Sequence, residues 1–153
     1  MHTAHIGIGS NLGPREESCL NAIRLLSDRG ITVRKQSSMY ETEPWGVKDQ
    51  PRFVNMAIEI ATDKTPLELL RSLKDIEKGL GRAETAKWGP RVIDLDILFY
   101  DDLVTDEQGL QIPHPHMHER EFVLRPLAEI APDKVHPVLK KTIRELLTET
   151  QMI

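Results

Sequence analysis

The arrangement with the clearest potential for chemistry is a pair of aspartates inside the most apolar segment of the chain, residues 92–100. Side chains alternate along a strand, so Asp94 and Asp96 would share one face with their Cα atoms roughly 6.5 Å apart. Because adjacent carboxylates repel, they favour Mg²⁺, which often binds one or two carboxylates plus substrate phosphates. Two metal ions about 3.5–4 Å apart would fit the same pair. The alternative is a solvated strand face without a ligand. The apolar residues of this strand are predicted on the opposite face: Ile93, Leu95, Ile97 and Phe99.

The segment before this strand, residues 82–91, carries groups suited to a nucleotide. Arg82, Lys87 and Arg91 can donate to phosphate oxygens, and arginine can do so in a bidentate manner. Trp88 offers a flat face for a heteroaromatic ring. A loop of this kind can close over a substrate and exclude water. A solvated charged connector is the alternative, but the position directly before the aspartate strand favours nucleotide binding.

Several other polar residues allow a functional and a structural interpretation. Phe53 and Asn55 fall on one face of residues 53–60, opposite the aliphatic face. An amide beside an aromatic ring could bind a flat heterocycle, or could be a surface asparagine beside a packed phenylalanine. Glu77 lies near the apolar stripe of a predicted helix and could be a rim charge. The glycine-containing residues 9–13 precede a helix but lack the lysine of a phosphate-binding loop, which favours a structural turn.

Three closely spaced histidines, His114, His116 and His118, suggest zinc at first sight. The prolines around them spoil regular ligand geometry, and no cysteine lies nearby. A phosphate-facing imidazole or a plain loop is therefore favoured. Arg120, just beyond, is a further candidate for phosphate binding.

The elements that must position these groups follow from apolar periodicity and turn signals. Leu20, Ile23 and Leu26 define the apolar face of a first helix, and Thr65 with Glu68 predicts a capping box at the start of a second. The predicted order is strand, helix, strand, strand, helix, strand over residues 4–8, 14–28, 31–39, 53–60, 66–80 and 92–100. This order matches an α+β, ferredoxin-like βαββαβ core, in which helices cover one face of an antiparallel sheet, with additional C-terminal strands and helices.

Length and composition are those of an ordinary globular protein. At 153 residues, 39% hydrophobic and 29% charged, the chain is predicted to form a single domain over residues 1–153. A net charge of −4 argues against nucleic acid as a partner. The chain has no run of roughly 18 apolar residues, so no membrane association is expected. The absence of a secretory signal at the N-terminus and the single cysteine, Cys19, predict a cytoplasmic location.

Four segments together resemble the signature of the hydroxymethyldihydropterin pyrophosphokinase family. They are WGPRVIDLDIL at residues 88–98, GSNLG at 9–13, QPRFVN at 50–55, and residues 113–124, which begin PHP and end EREFVL. The similarity runs in order from about residue 4 to 147. It implies transfer of the β,γ-diphosphate of ATP to the hydroxymethyl group of 6-hydroxymethyl-7,8-dihydropterin in folate synthesis, with release of AMP. It also implies these two substrates and two Mg²⁺ ions, and we expect a monomer.

The resemblance further implies roles for individual residues. Asp94 and Asp96 would bind the metal ions, joined in catalysis by Arg82 and Arg91. The ATP-binding residues would be Glu77, Arg82, Trp88, Arg91, Ile97, His114 and Arg120. The pterin-binding residues would be Thr42, Glu43 (through its main chain), Pro44, Trp45, Phe53, Asn55, Trp88, Asp94 and Phe122. The sequence departs from residues frequent in the family at Lys74, Glu84 and His116.

Two other functions are compatible with the residues alone. A Mg-dependent nucleotide hydrolase could use the same carboxylates, and it would turn over ATP without pterin. A non-catalytic ferredoxin-like ligand-binding module would bind its ligand without turnover. The set of Trp45, Phe53 and Asn55, which suits a pterin ring, favours the pyrophosphokinase over both.

Overall fold

The structure, a computed structural model, describes residues 1–42, 52–80, 92–107 and 109–151. The strands are β1 His2–Ser10, β2 Thr32–Gln36, β3 Tyr40–Thr42, β4 Phe53–Thr62, β5 Asp94–Tyr100, β6 Thr105–Glu107 and β7 Leu110–Ile112. The helices are α1 Arg15–Asp28, α2 Pro66–Gly79, α3 Glu121–Ile130 and α4 Ile143–Gln151, with a 3-10 turn at Met117–Glu119. In these parts of the chain, no helix is long and apolar enough to cross a membrane.

The main sheet has the order β2-β4-β1-β5, and β3 adds a short pairing to β4. Each of these pairings is antiparallel. With α1 between β1 and β2 and α2 between β4 and β5, this confirms the predicted ferredoxin-like α+β core. The hairpin β6-β7 and the helices α3 and α4 are the additional C-terminal elements.

The first core lies between one face of the sheet and helices α1 and α2. Alternate residues of β4 reach into it, as predicted: Val54, Met56, Ile58 and Ile60. Helix α2 begins with the predicted capping box, in which Glu68 N–H donates to Thr65 Oγ1 at 3.2 Å and Thr65 N–H donates to Glu68 Oε1 at 2.8 Å. Leu73 and Ile76 of α2 are fully buried against the sheet. This side of the molecule therefore follows directly from the sequence pattern.

Helix α1 packs Leu26 and Ile23 against the core as predicted, but its packed face is turned away from Leu20. Leu20, expected in the apolar stripe, is 46% exposed, whereas Cys19, Ala22 and Leu26 are completely buried. Those three residues are spaced by three and four positions, so they lie on one side of the helix. The small residues allow α1 to approach the sheet closely, a feature that counting only bulky apolar side chains does not detect.

A second core covers part of the opposite face of the sheet. Ala57 of β4 and Phe99 of β5 pack there with α3 and α4. The prediction that Phe99 shares the face of Ile97 is wrong, because β5 contains a bulge. Ile97 pairs with Ile6 and Phe99 with His5, so one extra residue, Leu98, lies between them. A bulge reverses the alternation of side chains beyond it, and Phe99 consequently packs in the second core rather than the first.

Candidate active site

The two aspartates of β5 project from the face of the sheet that is opposite the first core. Leu95, between them, is buried in that core, and Asp94 and Asp96 are both partly buried on the other side. Asp94 pairs with Gly9 of the central strand, and Asp96 pairs with Gly7. The bulge lies beyond both aspartates, so the predicted shared face of the two carboxylates is correct.

Asn55 and Phe53 lie on the same face of the sheet, on the other side of the central strand. Gly9 pairs with Asn55 in one direction and with Asp94 in the other. Neighbouring strands are about 4.8 Å apart, so the strands that carry Asn55 and Asp94 are separated by roughly 10 Å. The face therefore has an amide on one side, two carboxylates on the other and a glycine between them.

The side-chain amide of Asn55 has a fixed orientation. Its Nδ2 donates to Thr42 Oγ1 at 2.6 Å, and the residue is only 9% exposed. Thr42 pairs with Phe53 in the register of β3 and β4, which brings three residues predicted to bind the pterin together. A flat heterocycle could contact the ring of Phe53 and hydrogen-bond to the amide.

An open groove of about 830 Å³ adjoins Thr42. Arg120 and Phe122 also line this groove, and the guanidinium carbon of Arg120 lies 5.9 Å from the centroid of the Phe122 ring. The groove thus combines two residues predicted to contact pterin with one predicted to contact ATP. The lining carries both signs of charge, so the feature that suits a ligand with a ring system is the Arg120–Phe122 pair and not a net positive charge.

His114 is held next to the groove-lining Arg120 as a neutral imidazole. Burial, Arg120 and His116 together lower the pKa of His114 to about 4. Its main-chain N–H donates to Leu98 O at 3.1 Å, and its Nδ1 accepts from the N–H of His116 at 3.3 Å. Near neutral pH the proton of the ring is therefore on Nε2, which can donate one hydrogen bond to a ligand but carries no positive charge.

Glu77 is not the rim charge that its sequence position allowed. It is 2% exposed, and its Oε2 accepts from the main-chain N–H of Leu95 at 2.8 Å. Lys74 approaches its other oxygen at 3.7 Å. Glu77 follows Leu73 by four positions, so it lies on the buried stripe of α2, and this spacing was the signal for its burial. The carboxylate holds the backbone of β5 between the two aspartates.

Other predicted site residues are placed differently or lie outside the described residues. The side chain of Ile97 is buried in the first core, on the face away from Asp94 and Asp96, so only its main chain is available to a ligand on the aspartate face. The remaining predicted residues fall outside the described ranges: Glu43, Pro44, Trp45, Arg82, Lys87, Trp88 and Arg91. Glu84, one of the departures from the family pattern, falls outside them as well.

The site suits Mg²⁺ bound jointly by protein and substrate. Within the described ranges, no group of three or more His, Cys, Asp or Glu residues could hold a metal ion without help. Asp94 and Asp96 offer oxygen ligands on one face, next to a glycine that leaves space above the sheet. One or two carboxylates completed by phosphate oxygens and water is the arrangement that Mg²⁺ prefers over an all-protein cage.

Comparisons with known proteins agree with this chemistry. The model of the family described as 7,8-dihydro-6-hydroxymethylpterin-pyrophosphokinase matches residues 5–132. The 2-amino-4-hydroxy-6-hydroxymethyldihydropteridine pyrophosphokinase of Aquifex aeolicus is 40% identical over 152 residues, covering 99% of this chain and 94% of that protein. Its Bacillus subtilis counterpart is 49% identical over 128 residues, covering 83% and 77%. The folic acid synthesis protein fol1 of Schizosaccharomyces pombe is 45% identical over 94% of this chain, which spans 20% of that protein.

Solved structures share the fold at much lower identity. The wild-type HPPK-DHPS of Plasmodium falciparum with pteroate gives a TM-score of 0.79 at 17% identity, covering 97% of this chain and 42% of that one. An HPPK-DHPS structure in complex with substrates gives 0.76 at 16% identity, covering 97% and 43%. This chain thus spans less than half of each of those chains. On the family match and the near-full-length relatives, the chain belongs to the 7,8-dihydro-6-hydroxymethylpterin-pyrophosphokinase family, the pyrophosphokinases of folate synthesis.

Proposed function

We propose that this pyrophosphokinase carries out its transfer on the sheet face that bears Asp94 and Asp96, with these carboxylates binding two Mg²⁺ ions together with ATP. The observation that carries the proposal is that both aspartates share a face with Asn55, across the central strand at Gly9. Metal-bound phosphates on one side and a ring on the other would then meet above a single strand. Positioning of this kind, with charge neutralisation, is what phosphoryl-type transfer requires most.

On the pterin side, we assign the ring to Asn55, Thr42, Phe53 and Phe122. The hydrogen bond from Asn55 to Thr42 fixes the amide, so it can bind the ring without first being ordered. Glu43, Pro44, Trp45 and Trp88 stay assigned to the pterin by family resemblance.

On the nucleotide side, we assign Arg120 to the phosphates and His114 to a single hydrogen bond from its neutral ring. Arg82, Trp88 and Arg91 keep the ATP-binding roles that the resemblance implies, and Ile97 would contribute only main-chain atoms. Glu77 supports this side indirectly, because its carboxylate holds the N–H of Leu95.

In the reaction, the hydroxymethyl oxygen of the pterin forms a bond to the β-phosphorus of ATP. The bond between that phosphorus and the oxygen bridging to the α-phosphorus breaks, and AMP leaves. Asp94 and Asp96 would hold the Mg²⁺ ions and, through them, the reacting groups, while arginine side chains would balance the charge that develops on the transferred group. The ions would supply charge neutralisation of the phosphates and a lower pKa for the attacking hydroxyl, whose proton passes to solvent.

The assay that tests this function follows nucleotide products. Incubation with Mg-ATP and 6-hydroxymethyl-7,8-dihydropterin should give AMP and pterin diphosphate in equal amounts. ADP or inorganic phosphate as the main product, or ATP turnover without pterin, would indicate the Mg-dependent hydrolase instead. Binding of both ligands without turnover would indicate the non-catalytic module.

The metal role is tested by Asp94→Ala and Asp96→Ala. Each should lower kcat by about a hundredfold or more, because a metal ion loses one carboxylate ligand and the charge of the transition state is then less well stabilised. Asp106→Ala is the matched control, since Asp106 is an exposed aspartate in β6, and it should keep wild-type activity. All three proteins should retain the wild-type circular dichroism spectrum. Full activity in either β5 variant would reject the metal role of that residue.

We further propose that residues 1–153 form one pyrophosphokinase domain, monomeric and cytoplasmic. The single domain rests on length and composition, and the cytoplasmic location rests on the single cysteine. Sedimentation velocity at several concentrations tests the monomer, and a mass that rises with concentration would contradict it.

A further inference from the structure

Gly9 lies at the centre of the candidate site, in the strand between Asn55 and Asp94. A Cβ atom added at Gly9 would lie 3.1 Å from Asn55 Oδ1, 3.8 Å from Phe53 Cδ1 and 3.9 Å from Val54 O. The first distance is shorter than nearly all contacts that β-carbons make in proteins, so the amide oxygen would have to shift by a few tenths of an ångström. The amide oxygen of Asn55 therefore occupies space that any other residue at position 9 would need.

Backbone conformation does not explain a glycine at this position. The glycines with a positive φ in the described ranges are Gly13, Gly30 and Gly109, whereas Gly9 lies in regular strand. A glycine inside a strand costs roughly 0.5–1 kcal/mol relative to alanine through its backbone entropy. A glycine inside a strand often marks the close approach of another group, and at Gly9 that group is the Asn55 amide.

The amide has little room to move away from Gly9, because Thr42 of β3 lies close to it on the other side of β4. Asn55 Nδ2 donates to Thr42 Oγ1 at 2.6 Å, and Asn55 is almost completely buried. Thr42 therefore fixes the nitrogen end of the amide, while the space above Gly9 receives the oxygen end. The oxygen lies beside Gly9 of the central strand, whose other neighbour is Asp94.

We propose that Gly9 is a positioning residue of the pterin site, which keeps the space above the central strand open for the Asn55 amide oxygen. Held there, the oxygen accepts a hydrogen bond from an N–H group on the edge of a flat nitrogen heterocycle. The inference rests on the proposed function, because it takes Asn55 as a contact of the pterin. It adds that Gly9 acts on the ring through Asn55 and has no part in binding the nucleotide.

The experiment compares Gly9→Ala with Gly7→Ala in the full chain. Gly7 lies in the same strand and on the same face, but a Cβ added there would contact only the Leu98 side chain, at ordinary distances of 3.5–3.7 Å. Calorimetry gives the dissociation constant of a non-hydrolysable ATP analogue with Mg²⁺, and then that of 6-hydroxymethyl-7,8-dihydropterin in its presence. Asn55→Ala and the double variant Gly9→Ala/Asn55→Ala complete a double-mutant cycle, which measures whether the two substitutions act independently.

Gly9→Ala should weaken pterin binding by about tenfold or more, the effect of losing one well-placed hydrogen bond. Its nucleotide affinity, and both affinities of Gly7→Ala, should stay within about twofold of wild type. In the Asn55→Ala background the Gly9 substitution should have little further effect, because the oxygen that it crowds is gone. A purely structural role of Gly9 would not produce this dependence on Asn55.

Unchanged pterin affinity in Gly9→Ala, when Asn55→Ala weakens binding, would overturn the inference and leave the proposed function intact. Unchanged affinity in Asn55→Ala would overturn both. If Gly9→Ala does not fold, the double variant decides. If the double variant folds, the alanine at position 9 clashed with the Asn55 side chain, which supports the inference. If it does not fold, the clash is with the backbone, which overturns the inference.

Discussion

His114 illustrates how its surroundings, rather than the residue type, determine what a side chain can do. The sequence suggested a phosphate-facing imidazole, and a protonated ring would be the natural partner of a phosphate. In the folded chain, burial and the nearby Arg120 and His116 keep the ring neutral near pH 7. Its proposed contribution to a nucleotide is therefore one directed hydrogen bond, and a charge contact with phosphate is assigned to Arg120 instead.

This neutral state predicts a pH dependence of stability. The pKa of His114 is about 4 in the folded chain, whereas that of an unperturbed histidine is 6.5. As pH falls from 6.5 to 4, the unfolded chain takes up this proton before the folded one does, so the free energy of unfolding decreases. The free energy of unfolding decreases by at most about 1.4 kcal/mol per pH unit, and the decrease stops below the pKa that His114 has in the folded chain.

Urea unfolding of the wild type and of His114→Gln, at several pH values across this window and at about pH 8, measures the effect. The other histidines titrate in both proteins and cancel in the comparison. The wild type should lose stability relative to the variant as the solution becomes more acidic. A stability difference that does not change with pH would contradict the neutral assignment.

For single residues, the sequence predicted the position of a side chain correctly wherever one local rule determined it. Period-two alternation placed Asp94 and Asp96 on one face, and Asn55 with Phe53 on one face of β4. The hydrogen-bond partner of Glu77, the N–H of Leu95, lies 18 residues away in another element, and the neutral ring of His114 depends first on its burial in the folded chain. Local patterns contain no information about those partners.

Among the elements, β5 has the most demanding position, because it carries both aspartates at the edge of the sheet. An edge strand has N–H groups without a neighbouring strand, and each buried one needs another acceptor. Glu77 of α2 provides that acceptor for Leu95. The helix therefore fixes the strand at the residue between the two proposed metal ligands.

Replacing Glu77 tests this link between α2 and β5. Glu77→Ala leaves the buried N–H of Leu95 without its acceptor and should lower the free energy of unfolding by about 1–3 kcal/mol. It should also raise the Mg²⁺ concentration needed for half-maximal activity. Glu77→Gln keeps an acceptor oxygen and should restore most of both properties. Equal behaviour of the two variants would show that the charge of Glu77, and not its hydrogen bond, is what matters.

The elements that the sequence predicted well are those whose ends and faces are encoded locally. The capping box of Thr65 and Glu68 fixed the start of α2. The bulge at Leu98 could not be predicted, because it exists only in the pairing of β5 with β1. The contribution of Cys19 and Ala22 to the packed face of α1 was missed for a related reason. Small residues such as Ala22 gain their importance only when a sheet lies against them.

For the molecule as a whole, one sheet separates two cores. Consecutive residues of β4 alternate between them, with Met56 and Ile58 in the first core and Ala57 in the second. In β5 the bulge sends Ile97 to the first core and Phe99 to the second. Because the strands of one sheet contribute side chains to both cores, unfolding of either core should also unfold the sheet. We therefore expect the two halves to unfold together.

Two buried leucines test this expectation, Leu73 in the first core and Leu127 in the second. Leu73→Ala and Leu127→Ala should each cost about 2–5 kcal/mol through lost burial and the cavity left behind. In urea, each should lower the midpoint of a single transition without changing its slope. Circular dichroism and tryptophan fluorescence should report the same transition.

The control is Leu20→Ala, the same substitution at a leucine that the fold leaves 46% exposed. It should change stability by no more than about 0.5 kcal/mol, because little apolar surface is lost and alanine favours a helix. A large decrease in the free energy of unfolding of Leu20→Ala would show that Leu20 does belong to the packed face of α1. Two separate transitions in Leu127→Ala, with the first core still folded after the second has melted, would show that the sheet does not couple them. The aspartate face would then depend on the first core alone, since β5 carries both aspartates and contributes Leu95 and Ile97 to that core.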